Sequence, residues 1–385
     1  MIPILYGTNN QAFDYSIVGE QKGRLPDAVS CIITENLEGG YDLEMQYPEN
    51  GRLAAELMKP GTIAALRPYA DGGEFKRELA YFDIHRRTIE NGIITILAGH
   101  VSYRLSGIAC ARVPGGGYLD GAIGSMSNNI FPSKYFRPWL DFSIDTDEVY
   151  VEEGGTVKPT VHLGSFISTE VKSVREYMFD NVYSFRTVYG VDVIYHGTHI
   201  NLVSRRGEDR GAEIRYGKNL TGGTIVKDET AYCNGILPYW KGTVNGAERT
   251  SIGAVVYSDP QITPGCVYAI DFSAYFQDEP TAQQIQTVAQ QYLAANQPWL
   301  AKLNANITFS PEWYQGDTIK EIIDLGDTVK VFYGDADLAG EELRVVQIKY
   351  DCLLEQFAEY TLGELQKQYA VTSRDGISAT RQIMA

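Results

Sequence analysis

Alternating apolar and polar residues on either side of tight turns constrain this chain more than any other feature of its sequence. In AVSCIITENLEGGYDLEMQYP the alternation reaches the turn Glu38-Gly39-Gly40 and resumes at Tyr41, which predicts a β-hairpin. Asn91-Gly92 predicts a second hairpin between ELAYFDIHRRTIE and GIITILAGHVSYRL. The 26 Tyr and 38 Gly suit strands joined by tight turns, so we expect a β-rich fold.

Helical spacing is confined to a few segments. TAQQIQTVAQQYLAANQ has an apolar stripe at helical spacing and Thr281 as its N-cap, and STEVKSVREYMFDNV would be capped by Ser168 or Thr169. RLAAELMKP and YLDGAIGSMSNNI predict shorter helices. The strands VYAIDFSAYF and LNANITFSPEW flank the clearest helix, so residues 264–316 are predicted to form a compact β-α-β unit.

The net charge of the chain bears on whether it could bind DNA. The chain of 385 residues carries a formal charge of −16, which argues against a DNA-binding surface because phosphate contacts need Lys and Arg. An acidic wall would suit a channel through which DNA slides without sticking, and the same acidity would also confer solubility. Both interpretations stay open at the level of sequence.

The cysteine spacing and the N-terminal sequence bear on the cellular compartment in which the chain folds. Cysteine occurs at five scattered positions without a zinc spacing, which favours buried thiols in a chain folded in a reducing cytoplasm: Cys31, Cys110, Cys233, Cys266 and Cys352. The start MIPILYGTNN lacks the basic and apolar regions of a signal peptide. No run approaches the length of a membrane span, so no stable membrane association is expected.

Two histidine patterns invite a chemical interpretation. His196 and His199 have a spacing that could hold a metal on a helix, but Gly197 between them favours a turn. His100, Ser102 and Asp83 contain the residue types of a catalytic triad, yet no GxSxG turn accompanies them. We therefore predict no catalytic, metal or cofactor-binding residues and no cofactor.

Three further patterns favour structural roles. Gly115-Gly116-Gly117 lacks the GK[ST] ending of a phosphate loop. An arginine cluster could pair with acids across a subunit boundary, although a solvated face is the favoured interpretation: Arg205, Arg206, Arg210 and Arg215. Four strand tyrosines could be interface anchors or ordinary core: Tyr81, Tyr103, Tyr239 and Tyr257.

Several segments, in order from residue 1 to about 365, resemble the N-terminal region of phage minor structural proteins, also called tail-associated lysins or prophage tail endopeptidases. The most specific are SCIITENLEGGYDLEMQYP and RYGKNLTG. The others are MIPILYG, ELAYFDIHRRTIENGIITILAGHVSYRLSGI, KSVREYMFD, ILPYWKG, TAQQIQTVAQQYL, DLGDTVKVFY and VVQIKYDCLLEQFAEYTLGE.

The resemblance implies an α+β, β-rich fold like that of a phage baseplate hub, with two β-barrel hub domains and two smaller α/β domains. The expected division is a first barrel over 1–105, a mixed α/β domain over 106–211, a second barrel over 212–263 and 317–365, an inserted α/β domain over 264–316 and a C-terminal arm over 366–385. About twenty residues follow the last matched strand, which leaves no room for the family's lytic module.

The resemblance also implies a function and its partners. We expect a structural, non-enzymatic homotrimer at the tail tip or baseplate of a virion or phage-like particle, assembled in the cytoplasm of a bacterial host. Its partners would be the tail tube or distal tail protein and a spike, receptor-binding or tape-measure protein, with DNA only passing through the lumen. A tail-associated peptidoglycan hydrolase and a module that binds cell-wall carbohydrate are the alternatives.

Overall fold

The computed structural model describes residues 2–7, 21–71, 74–115, 117–130, 143–146, 150–153, 156–159, 166–180, 183–197, 199–215, 220–228, 235–257, 267–276, 278–296, 302–309, 322–333 and 338–363. Strands dominate these residues, which confirms the predicted β-rich fold. No helix in this part of the chain has both the length and the apolar character needed to cross a membrane.

The strands fall into three groups along the chain. The first group is β1 (Ile4–Gly7), β2 (Gln21–Arg24), β3 (Ser30–Asn36), β4 (Tyr41–Pro48), β5 (Gly61–Asp71), β6 (Glu74–Glu90) and β7 (Ile93–His100). The second is β8 (Ala109–Cys110), β9 (Ser143–Thr146), β10 (Tyr150–Glu153), β11 (Thr156–Pro159), β12 (Lys172–Ser173), β13 (Asp192–His196) and β14 (His199–Val203). The third is β15 (Asp209–Arg215), β16 (Leu220–Asp228), β17 (Gly235–Val244), β18 (Ala247–Ile252), β19 (Val256–Tyr257), β20 (Val267–Asp271), β21 (Lys302–Phe309), β22 (Thr328–Tyr333), β23 (Leu338–Asp351) and β24 (Gln356–Gly363).

The helices are short except for the last. They are α1 (Ala54–Leu57), α2 (Leu119–Asn128), α3 (Val174–Phe179), α4 (Phe185–Tyr189) and α5 (Ala282–Asn296), with 3-10 turns at Val101–Gly107 and Ser273–Tyr275. Thr281 and Gln284 cap α5 reciprocally, as predicted for Thr281. The cap predicted for α3 at Ser168 or Thr169 is wrong, because Ser173 and Glu176 form the capping box there.

The predicted hairpins are present. β3 and β4 pair antiparallel around the Glu38-Gly39-Gly40 turn, and their side chains alternate between buried and more exposed positions. β6 and β7 pair around Asn91 and Gly92, whose φ angles of 52° and 79° are those that a two-residue hairpin turn requires. In this region the alternation of apolar and polar residues therefore predicts correctly which side chains lie on the buried face of the sheet.

One large sheet joins the first and the last of the described strands. Its strand order is β16-β21-β24-β23-β3-β4-β7-β6-β5-β1-β2, with β22 beside β23 and β15 beside β22. The long strand β23 pairs with β22 through Leu338–Arg344 and with β3 through Gln347–Asp351. The ladder between β3 and β23 is called the junction here, since it connects the N-terminal and C-terminal strands.

The main hydrophobic core is continuous across the junction. It contains residues from the first strands, such as Ile33 and Phe82, and from the last strands, such as Val345 and Tyr360. The helical segment packs onto the same core through α2, α3 and α4, whose Met126, Tyr177 and Phe185 are among its members. Burying these apolar surfaces together makes the stability of either group of strands depend on the other.

A separate small unit lies between β16 and β21. β17, β18, β19 and β20 form its sheet, α5 covers one face, and Ile236, Phe272 and Leu293 belong to its own core. The β-α-β unit predicted over 264–316 is not formed, because β20 pairs with β17 while β21 pairs with β16 and β24 in the large sheet. Periodicity identifies a strand but does not identify its neighbour.

Two points of the predicted architecture stay predictions. Pairings among the described strands do not close the large sheet into a barrel. The domain boundaries predicted from the resemblance are likewise untested. The predicted arm, residues 366–385, lies outside the described residues.

Two loops cross at the end of the large sheet without space for a side chain. Gly207, before β15, has φ 81°, and a Cβ added to it would lie 2.1 Å from the carbonyl carbon of Gly326. A Cβ on Gly326 would lie 2.4 Å from the carbonyl oxygen of Arg206. Backbone atoms cannot swing aside as a side chain can, so both glycines are required for this crossing.

We predict that Gly207→Ala lowers the free energy of unfolding by more than about 3 kcal/mol, through the steric overlap and the positive φ together. Gly92→Ala is the matched control, because Gly92 has φ 79° but no heavy atom near the added Cβ. It should cost only about 1–2 kcal/mol, the penalty of a left-handed backbone for a residue with a Cβ. Urea unfolding of both variants measures the difference, and equal losses would contradict the crossing described here.

Candidate functional site

A buried ionic cluster lies where three parts of the chain meet. It consists of four carboxylates and four guanidiniums: Glu35, Asp192, Asp324, Asp327, Arg67, Arg206, Arg210 and Arg344. β3 and β5 supply two members, β13 and the chain around the start of β15 supply three, and the loop before β22 together with β23 supplies three. We call these eight residues the ionic cluster.

Arg67 is the central cation of the ionic cluster. Its side chain is only 5% exposed, and its Nη2 lies 2.7 Å from Glu35 Oε2 and 2.8 Å from Asp324 Oδ1. Glu35 also accepts a hydrogen bond of 2.6 Å from Arg206 Nη1. Charge-assisted hydrogen bonds of this kind offset the cost of removing the charges from water.

The remaining members fix the backbone around this centre. Asp192 accepts from the Arg206 backbone N–H at 2.8 Å and from Arg344 Nη2 at 2.5 Å. Asp327 accepts from the backbone N–H groups of Glu208 at 2.8 Å and Asp324 at 2.9 Å. These contacts place the crossing loops, so the ionic cluster orients backbone as well as pairing charge.

The electrostatic environment keeps the central groups ionised. Burial alone would raise the pKa of Glu35, but the charges of Arg206 and Arg67 hold that pKa below its usual value. Burial would likewise raise the pKa of Asp324, and Arg67 and Arg206 lower it. Burial would lower the pKa of Arg67, yet Asp324 and Glu35 raise it. Each charge is therefore stabilised by its partners.

A cavity of about 490 Å³ adjoins the ionic cluster. Glu35, Arg67 and Asp324 line its inner part, and Glu78 and His196 are among the residues nearer the surface. The carboxylates of the inner wall are already bound to guanidiniums, which leaves them poorly suited to act as general bases. The geometry supports a connecting role better than acid–base chemistry.

The two histidines of the HxxH pattern face each other across the β13–β14 hairpin. The predicted turn at Gly197 is confirmed by its φ of 58°. His196 Nδ1 lies 3.0 Å from Glu78 Oε2, whereas His199 Nδ1 lies 3.5 Å from Asp145 Oδ2. The rings contact different carboxylates, and no group of three or more His, Cys, Asp and Glu in the described part of the chain is arranged to hold a metal.

His100 and Ser102 are in contact, but Asp83 is engaged elsewhere. His100 Nδ1 lies 3.0 Å from Ser102 Oγ and accepts from the Ser102 backbone N–H, which begins a 3-10 turn. Asp83 instead accepts from Arg104 at 2.7 Å and from Thr62 at 2.7 Å. His100 and Ser102 are both fully buried, so this arrangement is that of a helix-capping contact.

The members of the arginine cluster differ in burial: Arg206 and Arg210 are largely removed from solvent, whereas Arg205 is exposed and the Arg215 side chain is 43% exposed. Arg206 and Arg210 belong to the ionic cluster, and Arg205 donates to Thr328 Oγ1 at 2.6 Å. Arg215 binds Glu213 at 2.8 Å and lies over the ring of Phe332. The favoured interpretation of a solvated face is therefore wrong for the buried Arg206.

The four strand tyrosines differ in how far they are buried. Tyr103 lies beneath Arg175, 3.8 Å from ring centroid to guanidinium carbon, and its hydroxyl accepts from the Tyr41 backbone N–H. Tyr81 and Tyr239 are partly buried, and Tyr257 is exposed.

The cysteines that the structure describes are buried thiols, as predicted: Cys31, Cys110 and Cys352. Cys233, Cys266 and Gly116 lie outside the described residues.

Sequence reasoning missed the centre of the ionic cluster. Glu35 occupies the same buried parity in β3 as Cys31 and Ile33, and Arg67 occupies a buried position of β5. A charged residue at a buried position of a strand is the signal in the sequence that could have indicated a buried ion pair. Asp324 and Asp327, on a loop, carried no such signal.

Comparison with solved structures identifies the fold. The chain is similar to the prophage tail protein gp18 of Listeria monocytogenes EGD-e, at 12% identity and a TM-score of 0.55 over 95% of each chain. It is similar to the 43 kDa tail protein of prophage MuSo2 from Shewanella oneidensis, at 13% identity and a TM-score of 0.55 over 96% of this chain and 100% of that one. A tail protein of Neisseria meningitidis MC58 matches at 10% identity and a TM-score of 0.51 over 96% and 98%.

These likenesses confirm the resemblance to phage tail proteins at the level of the fold. They extend over nearly the whole of both chains, so they concern the complete arrangement and not one shared motif. No protein-family model and no curated protein matches the sequence.

Arg67→Met should lower the free energy of unfolding by about 3–5 kcal/mol, because Glu35 and Asp324 would stay buried without their shared cation. Arg52→Met is the control: Arg52 is 74% exposed and 3.8 Å from Asp27, so its loss should leave the urea midpoint nearly unchanged. Equal effects of the two substitutions would contradict a stabilising role for the ionic cluster.

His100 should make stability fall with acid. Burial lowers the pKa of His100 to about 3, whereas an unfolded His titrates near its ordinary value of 6.5. Between these values the unfolded chain binds the proton and the folded chain does not, so stability decreases as pH falls, by about 1.4 kcal/mol per pH unit. Urea unfolding at pH 7 and pH 5 measures this loss.

His100→Asn is the control for the acid effect, since an Asn side chain keeps a capping acceptor but does not titrate. This variant should be less stable at pH 7 and less sensitive to pH between 7 and 5. An unchanged pH dependence would assign the effect to other groups.

Proposed function

We propose that the chain is a structural hub of a phage or phage-like tail. In this proposal three copies form a ring at the tail tip that joins the tail tube or distal tail protein to the spike, and the genome passes through the ring. The observation that carries the proposal is the whole-chain likeness to prophage tail proteins, with TM-scores of 0.55. A shared fold does not by itself establish a shared function, so the contacts within the chain have to support the proposed function independently.

The junction and the ionic cluster give the molecule properties that a hub needs. One sheet and one core run from the first strands to the last, so force applied at one end is transmitted through hydrogen bonds and packed side chains. Paired charges at the meeting point fix the relative position of three parts of the chain. A component that holds a tube to a tip requires this kind of rigidity.

The two-barrel architecture belongs to the same proposal. Two barrels in each of three copies would present six similar surfaces, and a threefold ring could then join a sixfold tube. The contacts around such a ring would be heterologous and would bury much more surface than a standard pairwise interface. The net charge of −16 supports a lumen that repels passing DNA.

The proposal does not include an enzymatic role. His100 and Ser102 are both buried, and the His100 ring packs against Tyr41 and Phe82, which is not the exposed position a nucleophile needs to reach a polymer such as peptidoglycan. The hydrolase alternative predicts clearing of peptidoglycan in a zymogram. The carbohydrate-binding alternative predicts that the purified chain binds isolated cell walls without other tail proteins.

The test is to locate the chain in purified particles by electron microscopy with an epitope tag on a solvent-exposed turn, at Asn245-Gly246. We expect the label at the distal tip of the tail and three copies per particle by quantitative mass spectrometry. Deleting the gene should yield particles that lack a tip structure or incomplete tails, restored by the tagged chain. Label along the tube, or normal particles without the chain, would contradict the proposal.

A further inference from the structure

Two cysteines face each other at the junction. Cys31 lies in β3, and Cys352 follows the last residue of β23 in the turn to β24. The register pairs Ile32 with Asp351, and the Cys352 backbone N–H donates to the Cys31 carbonyl oxygen at 2.9 Å. Residues opposite each other in antiparallel strands have Cα atoms about 4.5–5.5 Å apart, within the range of about 4.4–6.8 Å that disulfides span.

The two side chains are in contact inside the core. Both residues are 0% exposed and belong to the main hydrophobic core. A hydrogen bond to Cys352, together with burial, raises the pKa of the Cys31 thiol well above its usual value. The thiol form is therefore stabilised while the fold is closed, and oxidation has to proceed through local opening.

We propose that Cys31 and Cys352 are a redox modification site, at which a low-molecular-mass disulfide oxidises the two thiols to an intrachain disulfide across the junction. This step goes beyond the proposed hub function and does not depend on it. The geometry carries it: the two residues are neighbours at the end of the β3–β23 ladder, a backbone hydrogen bond joins them directly, and their side chains are in contact.

The reaction balances with oxidised glutathione as the oxidant. After local opening of the turn that also contains the exposed Leu354, the Cys352 thiolate attacks one sulfur of the glutathione disulfide, which breaks its S–S bond and releases one glutathione thiolate. The Cys31 thiolate then attacks the Cys352 sulfur of the mixed disulfide and releases the second glutathione. The two protons of the protein thiols end on the two glutathione molecules, and the protein loses two electrons.

The bond would close a very long loop, because Cys31 and Cys352 lie near opposite ends of the described chain. Disulfides that close long loops restrict the unfolded chain most, so the product should be more stable than the dithiol. It would also convert the junction from a hydrogen-bonded contact into a covalent one. The N-terminal and C-terminal strands could then no longer separate.

The experiment compares reduced and oxidised forms of the full chain. Protein refolded from urea with a reduced and oxidised glutathione mixture, and native protein held in mild urea with the same mixture, are alkylated and mapped by mass spectrometry. We expect a peptide linking Cys31 to Cys352, and a thermal midpoint roughly 5 °C or more above that of the reduced form.

Three variants separate this site from general oxidation. Cys352→Ser and Cys31→Ser should each abolish the linked peptide and the thermal shift. Cys110→Ser should keep both, since Cys110 is equally buried but its sulfur contacts the carbonyl oxygens of Arg112 and Met126. The proposal would be overturned if both thiols were alkylated under both conditions or if the linked peptides joined other cysteines. A linked form with no gain in thermal midpoint would also overturn it.

Discussion

The pairing of β3 with β23, with buried charge beside it, is the constraint on which the rest of the structure depends. Gln347–Asp351 hydrogen-bond along Ile32–Asn36, so strands from near the two ends of the chain become neighbours in one sheet. Glu35 lies within this ladder and is held by Arg67 from β5 and by Arg206 from the chain before β15. Removing the ladder would expose both the main core and these charges to water.

The same constraint supports the mechanical role that we propose. A buried ion pair is weak support for stability taken alone, because desolvation offsets much of the attraction. The ion pairs here also fix positions, because Arg67 on β5 binds Glu35 on β3 and Asp324 on the loop before β22 at the same time. The fold is similar to that of prophage tail proteins, and contacts that fix its segments in this way support the proposed hub.

Local features of the fold were predictable from sequence and long-range ones were not. The Asn91-Gly92 turn and the cap of α5 at Thr281 depend on neighbouring residues, so their signals lie within a few positions. The junction joins residues about three hundred positions apart, and no spacing rule reports such a pair. The β-α-β prediction failed for the same reason, since β20 and β21 find different partners.

Native-state hydrogen exchange at the junction tests the central claim most directly. If the N-terminal and C-terminal strands form one cooperative unit, the amides of Gln347–Asp351 in β23 should exchange as slowly as those of β4 and β7 in the middle of the sheet. Arg67→Met should accelerate all three strands together. Fast exchange confined to β23, with β4 and β7 still protected, would show two independent units and contradict the account.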